Sequence, residues 1–373
     1  MNLFADFEKL SKQAWKNQAI TDLKGKNFEE SLTSKTIEGL LVNPYFDASD
    51  LENKFESGIQ DAQQVDSQAK RTWLLEERIV VEKNKDTQVL IQKAIEGGAN
   101  SFDLVFSESK ISEIDIQKTL KNVKLNETPC FFEVDNPVLF TNALLKFINY
   151  QMKGGIWFND NETIDWPKVA NLIELTKNSP KFRCITIRLN DSEFETSKPI
   201  QNLALLVQKA IIAIDELSEL GLDIKIILEN IQFELKIGQD FFTEIASIRA
   251  LKYLFSEIIL QNYQLQTSVF VRCKTDKRID DLPNHQLIAA TYASTAAILG
   301  GCDVLQISVI DKYSHQSDEF ARRISRNISL ILEQESFLSA TTDPAAGSYF
   351  IENLTFQISQ KVLEKLQEID RVP

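Results

Sequence analysis

Cys130-Phe131-Phe132-Glu133-Val134 runs through Asp135 into Asn136-Pro137-Val138-Leu139-Phe140. A short aromatic and β-branched run thus gives way, within two residues, to a proline suited to the first turn of a helix. The same unit recurs along the chain. Apolar β-rich runs at 102–106, 130–134, 156–158, 184–189, 232–237, 269–273, 304–309 and 337–341 each precede a helical segment. Ser112-x-x-Asp115 has capping-box spacing, and Leu282-Pro283 marks a second proline start. Helical stripes are clear at Ile200, Leu203, Val207, Ile211, Ile214 and Leu217, at Phe320, Ile324, Ile328 and Ile331, and at Leu354, Ile358, Val362, Leu366 and Ile369.

Eight strand–helix units predict an α/β fold of the (β/α)8 TIM-barrel type, which commonly needs about 250 residues. A doubly wound open sheet is the alternative. The sequence contains neither G-x-G-x-x-G nor G-x-x-x-x-G-K-[ST], so the nucleotide-binding forms of that alternative lose their main support. Residues 1–98 read differently, with a turn-like Lys24-Gly25-Lys26-Asn27, an extended Asn43-Pro44-Tyr45-Phe46 and a polar stretch over 52–69. They predict an extended N-terminal arm wrapping another domain, with the barrel over 99–373.

The balance of 41 basic and 54 acidic residues, a net charge of −13, argues against nucleic acid or an anionic membrane as partner. The N-terminus lacks the apolar core of a signal peptide. The longest uncharged stretch, 286–302, is too short and too polar to span a bilayer. A soluble, cytoplasmic protein is the expectation. Cys130, Cys184, Cys273 and Cys302 are far apart in sequence and read as reduced, buried thiols. His285 and His315 have no zinc-like spacing, so a transition-metal site is not expected.

In a barrel, chemistry belongs to the loops that follow the strands. Those loops carry Ser107-Glu108-Ser109-Lys110, Glu133-Val134-Asp135, Asn159-Asp160-Asn161-Glu162 and Asn190-Asp191-Ser192-Glu193. Such acids serve as general acid/base pairs or hold magnesium, yet solvated turns and helix N-termini attract acids as well. The most basic stretch, Arg272-Cys273-Lys274-Thr275-Asp276-Lys277-Arg278, suits either ligand phosphates or a surface that offsets an acidic protein. No G-x-S-x-G elbow is present.

One region is more specific. Arg322-Arg323-Ile324-Ser325-Arg326-Asn327, then Glu333-Gln334-Glu335-Ser336 and Asp343-Pro344-Ala345-Ala346-Gly347-Ser348-Tyr349-Phe350-Ile351-Glu352-Asn353-Leu354-Thr355, closely resembles the end of the methylmalonyl-CoA mutase barrel. Phe241-Phe242-x-Glu244-Ile245-Ala246-x-Ile248-Arg249-Ala250-Leu251 and Gly300-Gly301-Cys302-Asp303 are similar to the same family. Near the start, Trp15, Asp22-Leu23-Lys24-Gly25-Lys26, and Thr36-x-Glu38-Gly39-Leu40-x-x-x-Pro44-Tyr45 look like its N-terminal arm.

The resemblance implies an adenosylcobalamin-dependent rearrangement of an acyl-CoA, whose tail threads the barrel axis, together with a cobalamin domain bearing D-x-H-x-x-G. This chain departs from that pattern: neither histidine lies in D-x-H-x-x-G. The family's G-T-I-Q-N is replaced by Gly154-Gly155-Ile156-Trp157-Phe158-Asn159, and S-G-Y-H by Asn190-Asp191-Ser192-Glu193-Phe194-Glu195. Its N-x-F-D-E reads Ser308-Val309-Ile310-Asp311-Lys312, its Q-D-P-Y-N-N reads Asp281-Leu282-Pro283-Asn284-His285-Gln286, and its R-Q-Y meets only Glu76-Glu77-Arg78. These departures resemble the family's small (beta) subunit, in its barrel portion without the cobalamin-binding domain. That resemblance implies a heterodimer with a catalytic large (alpha) subunit and adenosylcobalamin in that partner; an interface left uncovered in the isolated chain is open to self-association. No catalytic, cofactor-binding or metal-ligating residue is assigned here. The alternative is an acyl-CoA-binding half of a mutase whose site a separate cobalamin-binding subunit completes.

Two structural expectations follow. A barrel freed from threading coenzyme A should fill its axis with side chains, with Phe106, Phe132, Trp157, Phe233 and Phe270 as candidates. The arm should bind through Phe4, Phe7, Trp15, Tyr45 and Phe46, either to the partner or to its own barrel.

Overall fold

The computed structural model describes residues 11–51, 72–82, 86–106, 113–158, 164–238, 240–275, 283–308 and 318–369. Eight parallel strands follow one another in order: β1 (Leu74–Val80), β2 (Ser101–Phe106), β3 (Cys130–Val134), β4 (Lys153–Phe158), β5, β6 (Ile231–Ile237), β7 (Val271–Thr275) and β8 (Val304–Gln306). β5 is one strand interrupted at Cys184. Its first half, Lys181–Arg183, pairs with β4, and its second half, Ile185–Ile187, pairs with β6. β8 pairs with β1, placing Gln306 opposite Glu76 and closing the ring. The fold is the expected α/β barrel.

The ring of helices is α1 (Thr87–Glu96), α2 (Glu113–Leu120), α3 (Pro137–Leu145), α4 (Trp166–Thr176), α5 (Pro199–Glu219), α6 (Phe241–Tyr263), α7 (Pro283–Gly300) and α8 (Asp318–Gln334). A further helix, α9 (Tyr349–Ile369), packs across α5 and α6. Local chemistry sets the starts. Asn136 and Asp165 accept the amides of Leu139 and Lys168, each beside a proline in the first turn, and Asp240 accepts the Thr243 hydroxyl. At Gly154 (φ +118°) a Cβ would lie 1.9 Å from the Cys130 carbonyl oxygen, so only glycine lets β4 approach β3 there.

The strand register differs from expectation at both ends. Leu74–Val80, expected in the arm, is the barrel's first strand, and α1 also belongs to the ring, so the barrel begins within the segment read as arm. The run 337–341 forms turns, with Phe337 exposed at a left-handed φ of +52°. The charges of Leu74-Leu75-Glu76-Glu77-Arg78 hid β1, because inward-facing charges are atypical of a strand buried on both faces.

The main core lies between the sheet's outer face and the helices. There Phe106 and Phe132 each meet Phe140 of α3 at 5.0 Å, and Phe233 meets Phe255 of α6 at the same distance. These three residues therefore face the helices, not the axis as expected. Trp157 and Phe270 do face inward, in a small cluster with Phe131, Leu74 and Val304. Strand alternation explains the swap: Phe131 and Phe132 point to opposite faces.

The described part of the arm holds helices Lys12–Asp22 and Phe28–Leu32 and a short hairpin of Ser34–Lys35 with Leu41–Val42. Trp15 stacks on Tyr45 at 5.0 Å, and Phe46 packs on Phe350 at 5.5 Å. Lys12 pairs with Asp50, and the Asp50 carbonyl accepts from Asn353 of α9. The Glu38 carboxylate accepts the Ile200 amide at the start of α5. Phe46 and Glu38 thus pin the arm to its own barrel, while Trp15 and Tyr45 pack within the arm. Phe4 and Phe7 lie outside the described residues. No helix among the described residues is long and apolar enough to cross a membrane.

Candidate functional site in the barrel axis

Glu76 and Arg78 of β1 and Arg272 and Lys274 of β7 point inward, in line with the apolar Leu74. Arg272 on β7 is fully buried, and its Nη2 donates to both oxygens of Glu76 on β1 at 2.9 Å. Its Nη1 reaches Glu234 on β6 at 3.3 Å. The guanidinium lies over the rings of Phe131 and Trp157, on β3 and β4, at 4.1 and 4.6 Å. One side chain therefore touches groups from strands on opposite sides of the ring, which fills the axis at this level.

A second tier sits nearer the strand C-termini. Lys274 pairs with Glu234 at 2.8 Å and Asp103 at 3.5 Å, and Arg78 bridges Asp103 at 2.6 Å and Glu133 at 2.7 Å. Gln306 donates to both Glu76 and Asp103. Below the network, Arg183 lies 3.9 Å above the Phe270 ring, and burial pulls its guanidinium pKa down.

The electrostatics follow from burial opposed by neighbours. Burial pushes the Asp103 carboxyl up, but Lys274, Arg78 and Arg272 together hold it well below the usual carboxylate range. Burial likewise raises Glu234, and Lys274, Arg272 and Arg188 outweigh it, bringing it down to about 2. Glu76 is raised, because burial exceeds the pull of Arg272. Asp103 and Glu234 are held by cations and are poorly placed to accept a proton near neutral pH. The network is also imperfect: Asp103 Oδ1, Arg272 Nε, Trp157 Nε1 and Gln232 Oε1 are buried without a protein partner among the described residues. Each such atom costs about 1–3 kcal/mol, so stability alone does not explain the arrangement.

The strand-end acids of the sequence separate into different surroundings. Glu133 belongs to the network, Glu193 pairs with Lys209 on α5, and Asp191 pairs with Lys236. Within the basic stretch, Arg272 and Lys274 line the axis against carboxylates and do not face solvent as a surface patch would. Glu108, Asp160, Glu162, Lys277, Arg278 and His315 lie outside the described residues, and His285 sits on α7. The sequence reading missed the Glu76–Arg272 bridge. Its only local signal was the period-two pattern Val271-Arg272-Cys273-Lys274-Thr275, apolar outward and basic inward.

The sequence profile of the methylmalonyl-CoA mutase family matches residues 149–372. The chain belongs to the methylmalonyl-CoA mutase family. Among relatives, the methylmalonyl-CoA mutase small subunit of Porphyromonas gingivalis is 26% identical over 96% of this chain and 62% of its own length. The methylmalonyl-CoA mutase of Cereibacter sphaeroides is 23% identical over 96% of this chain and 58% of its own. The methylmalonyl-CoA mutase small subunit of Streptomyces virginiae is 21% identical over the whole chain and 65% of its own. The chain spans about three-fifths of the length of these relatives.

The segments that carry the family resemblance are scaffolding. Arg249, from the 241–251 match, donates to Asp343 and to Glu352, so two family segments clamp each other. Asp343 also accepts the Ala345 amide, and Glu352 the Gly347 amide. Arg326 of the 322–327 helix pairs with Glu77 on β1. Side chains occupy the axis at the level of Arg272. A coenzyme A tail would have to pass Arg272 with its partners, and beside Gly155 the Gln232 amide lies 2.7 Å from where a Cβ would be.

Proposed function

We propose that this chain is the small (beta) subunit of a methylmalonyl-CoA mutase-like heterodimer, non-catalytic itself and serving to support a catalytic large (alpha) subunit. In this reading the complex interconverts methylmalonyl-CoA and succinyl-CoA in the cytoplasm, and the large subunit holds the acyl-CoA and adenosylcobalamin. The observation that carries the reading is the filled axis, in which Arg272 bridges Glu76 and Glu234 across the space a threaded acyl-CoA would need. Two relatives named as small subunits, each matched over at least 96% of this chain, support it.

The test is reconstitution. The chain alone, supplied with adenosylcobalamin and methylmalonyl-CoA, should give no turnover above background. Mixed with the large subunit, it should form a one-to-one complex that keeps activity longer at elevated temperature than the large subunit alone. Turnover by the pure chain at an ordinary enzymatic rate, or no complex at all, contradicts the reading.

A further inference from the structure

We infer that the uncharged outer face of α7, together with the aromatic ridge beside it, is the surface on which the large mutase subunit docks. The inference rests on the subunit reading above. α7 carries no charged side chain from Pro283 to Gly300, although outer-ring helices ordinarily have a polar outward face. Its buried side supplies Ala290, Ala293, Ala296 and Ala297 to the core, while Ile288 and Tyr292, one turn apart, remain 66% and 55% exposed. From Tyr292 a continuous aromatic chain runs through Phe241 (4.6 Å), Phe242 (5.3 Å) and Phe350 (5.1 Å) to Phe46 of the arm (5.5 Å). There it meets an open groove of about 540 Å³ walled by Pro44, Tyr45, Phe46, Tyr349 and Phe350.

Area and charge select the occupant. Ile288, Tyr292, Phe242, Tyr349 and Tyr45 are 40–66% exposed. Side chains of this size present about 500 Å² of apolar surface in that state, a fitting centre for an interface that needs ~800 Å² per partner. Scattered exposed apolar residues need no explanation, but a contiguous patch of this extent does. A second copy of this chain would bring two net charges of −13 together on a helix α7 that carries no Asp, Glu, Lys or Arg to offset the repulsion. A different chain, bringing apolar side chains to the groove and the α7 face, avoids that cost.

The test places charges on the face. Tyr292→Glu and Ile288→Lys, separately and combined, should leave the melting temperature of the isolated chain within about a degree while weakening pairing with the large subunit at least a hundredfold by sedimentation or biolayer measurements. Leu139→Glu, an equally exposed apolar position on α3, should leave pairing unchanged. If the unmodified chain does not pair with the large subunit, the subunit reading fails and takes this surface with it. If the unmodified chain pairs and the α7 variants pair as tightly, the surface assignment alone is wrong. Two other outcomes also overturn it. In one, the isolated chain dimerises and the α7 variants abolish that, which makes the occupant a second copy. In the other, the α7 variants lower the melting temperature without affecting pairing, which makes the occupant the chain's own residues.

Discussion

Arg272 makes the clearest case at the scale of single residues. It is buried with two carboxylates, and removing one member of such a set leaves uncompensated charge in a dry interior. Arg272→Met should destabilise the fold by about 3–5 kcal/mol, measured by chemical denaturation, and converting Glu76 and Glu234 to leucine in the same chain should restore most of that loss. A single variant as stable as the parent would mean that the bridge is not buried as described. The same carboxylates set the acid response. Glu234, depressed to about 2, and Asp103, also depressed, contribute stability that is complete above the ordinary carboxylate range. That contribution is lost as pH falls from about 4.5 towards 2, whereas Glu76, raised by burial, works in the opposite sense and offsets part of the loss. Melting temperature should therefore hold from pH 7 to about 5 and fall steeply below 4. A flat profile down to pH 3 would contradict the depressed carboxylates.

Elements whose apolar residues face one way were legible in the sequence, and those with charges facing inward were not. β2, β3 and β6 were recognised because their outward rows, such as Phe102, Leu104 and Phe106, pack on helices and look like strands from sequence alone. β1 was missed because Glu76 and Arg78 occupy the positions where a parallel strand is ordinarily apolar, and three of the five expected axis fillers face the helices instead, Phe132 in place of its neighbour Phe131 among them. The inward network was illegible for a further reason: Glu76 and Arg272 are 196 positions apart, and nothing local joins them. The family segments, in contrast, were read from sequence, and the structure gives them a mechanical role. Asp343→Asn removes one of the two carboxylates on Arg249 and should cost about 1–3 kcal/mol, with faster amide exchange confined first to 343–369. Uniform acceleration across the barrel would instead mean that α9 is not separately clamped.

At the scale of the whole molecule, Arg272 and its carboxylates occupy the barrel axis, and the arm is anchored to the barrel through Phe46 and Glu38. Deleting residues 1–46 should abolish pairing with the large subunit while the barrel, whose strands and helices begin at Leu74, still melts in one cooperative transition. Undiminished pairing by the truncated chain would remove the arm from the interface. The central claim, that Arg272 and its carboxylates close the axis, is met most directly by titration calorimetry of the pure chain with methylmalonyl-CoA. The account predicts no saturable heat up to about 1 mM ligand, a concentration at which a site worth even ~4 kcal/mol would be half filled. Saturable one-to-one binding in the micromolar range, lost on adding charge at Gly155, would show that the axis admits the substrate and would contradict it.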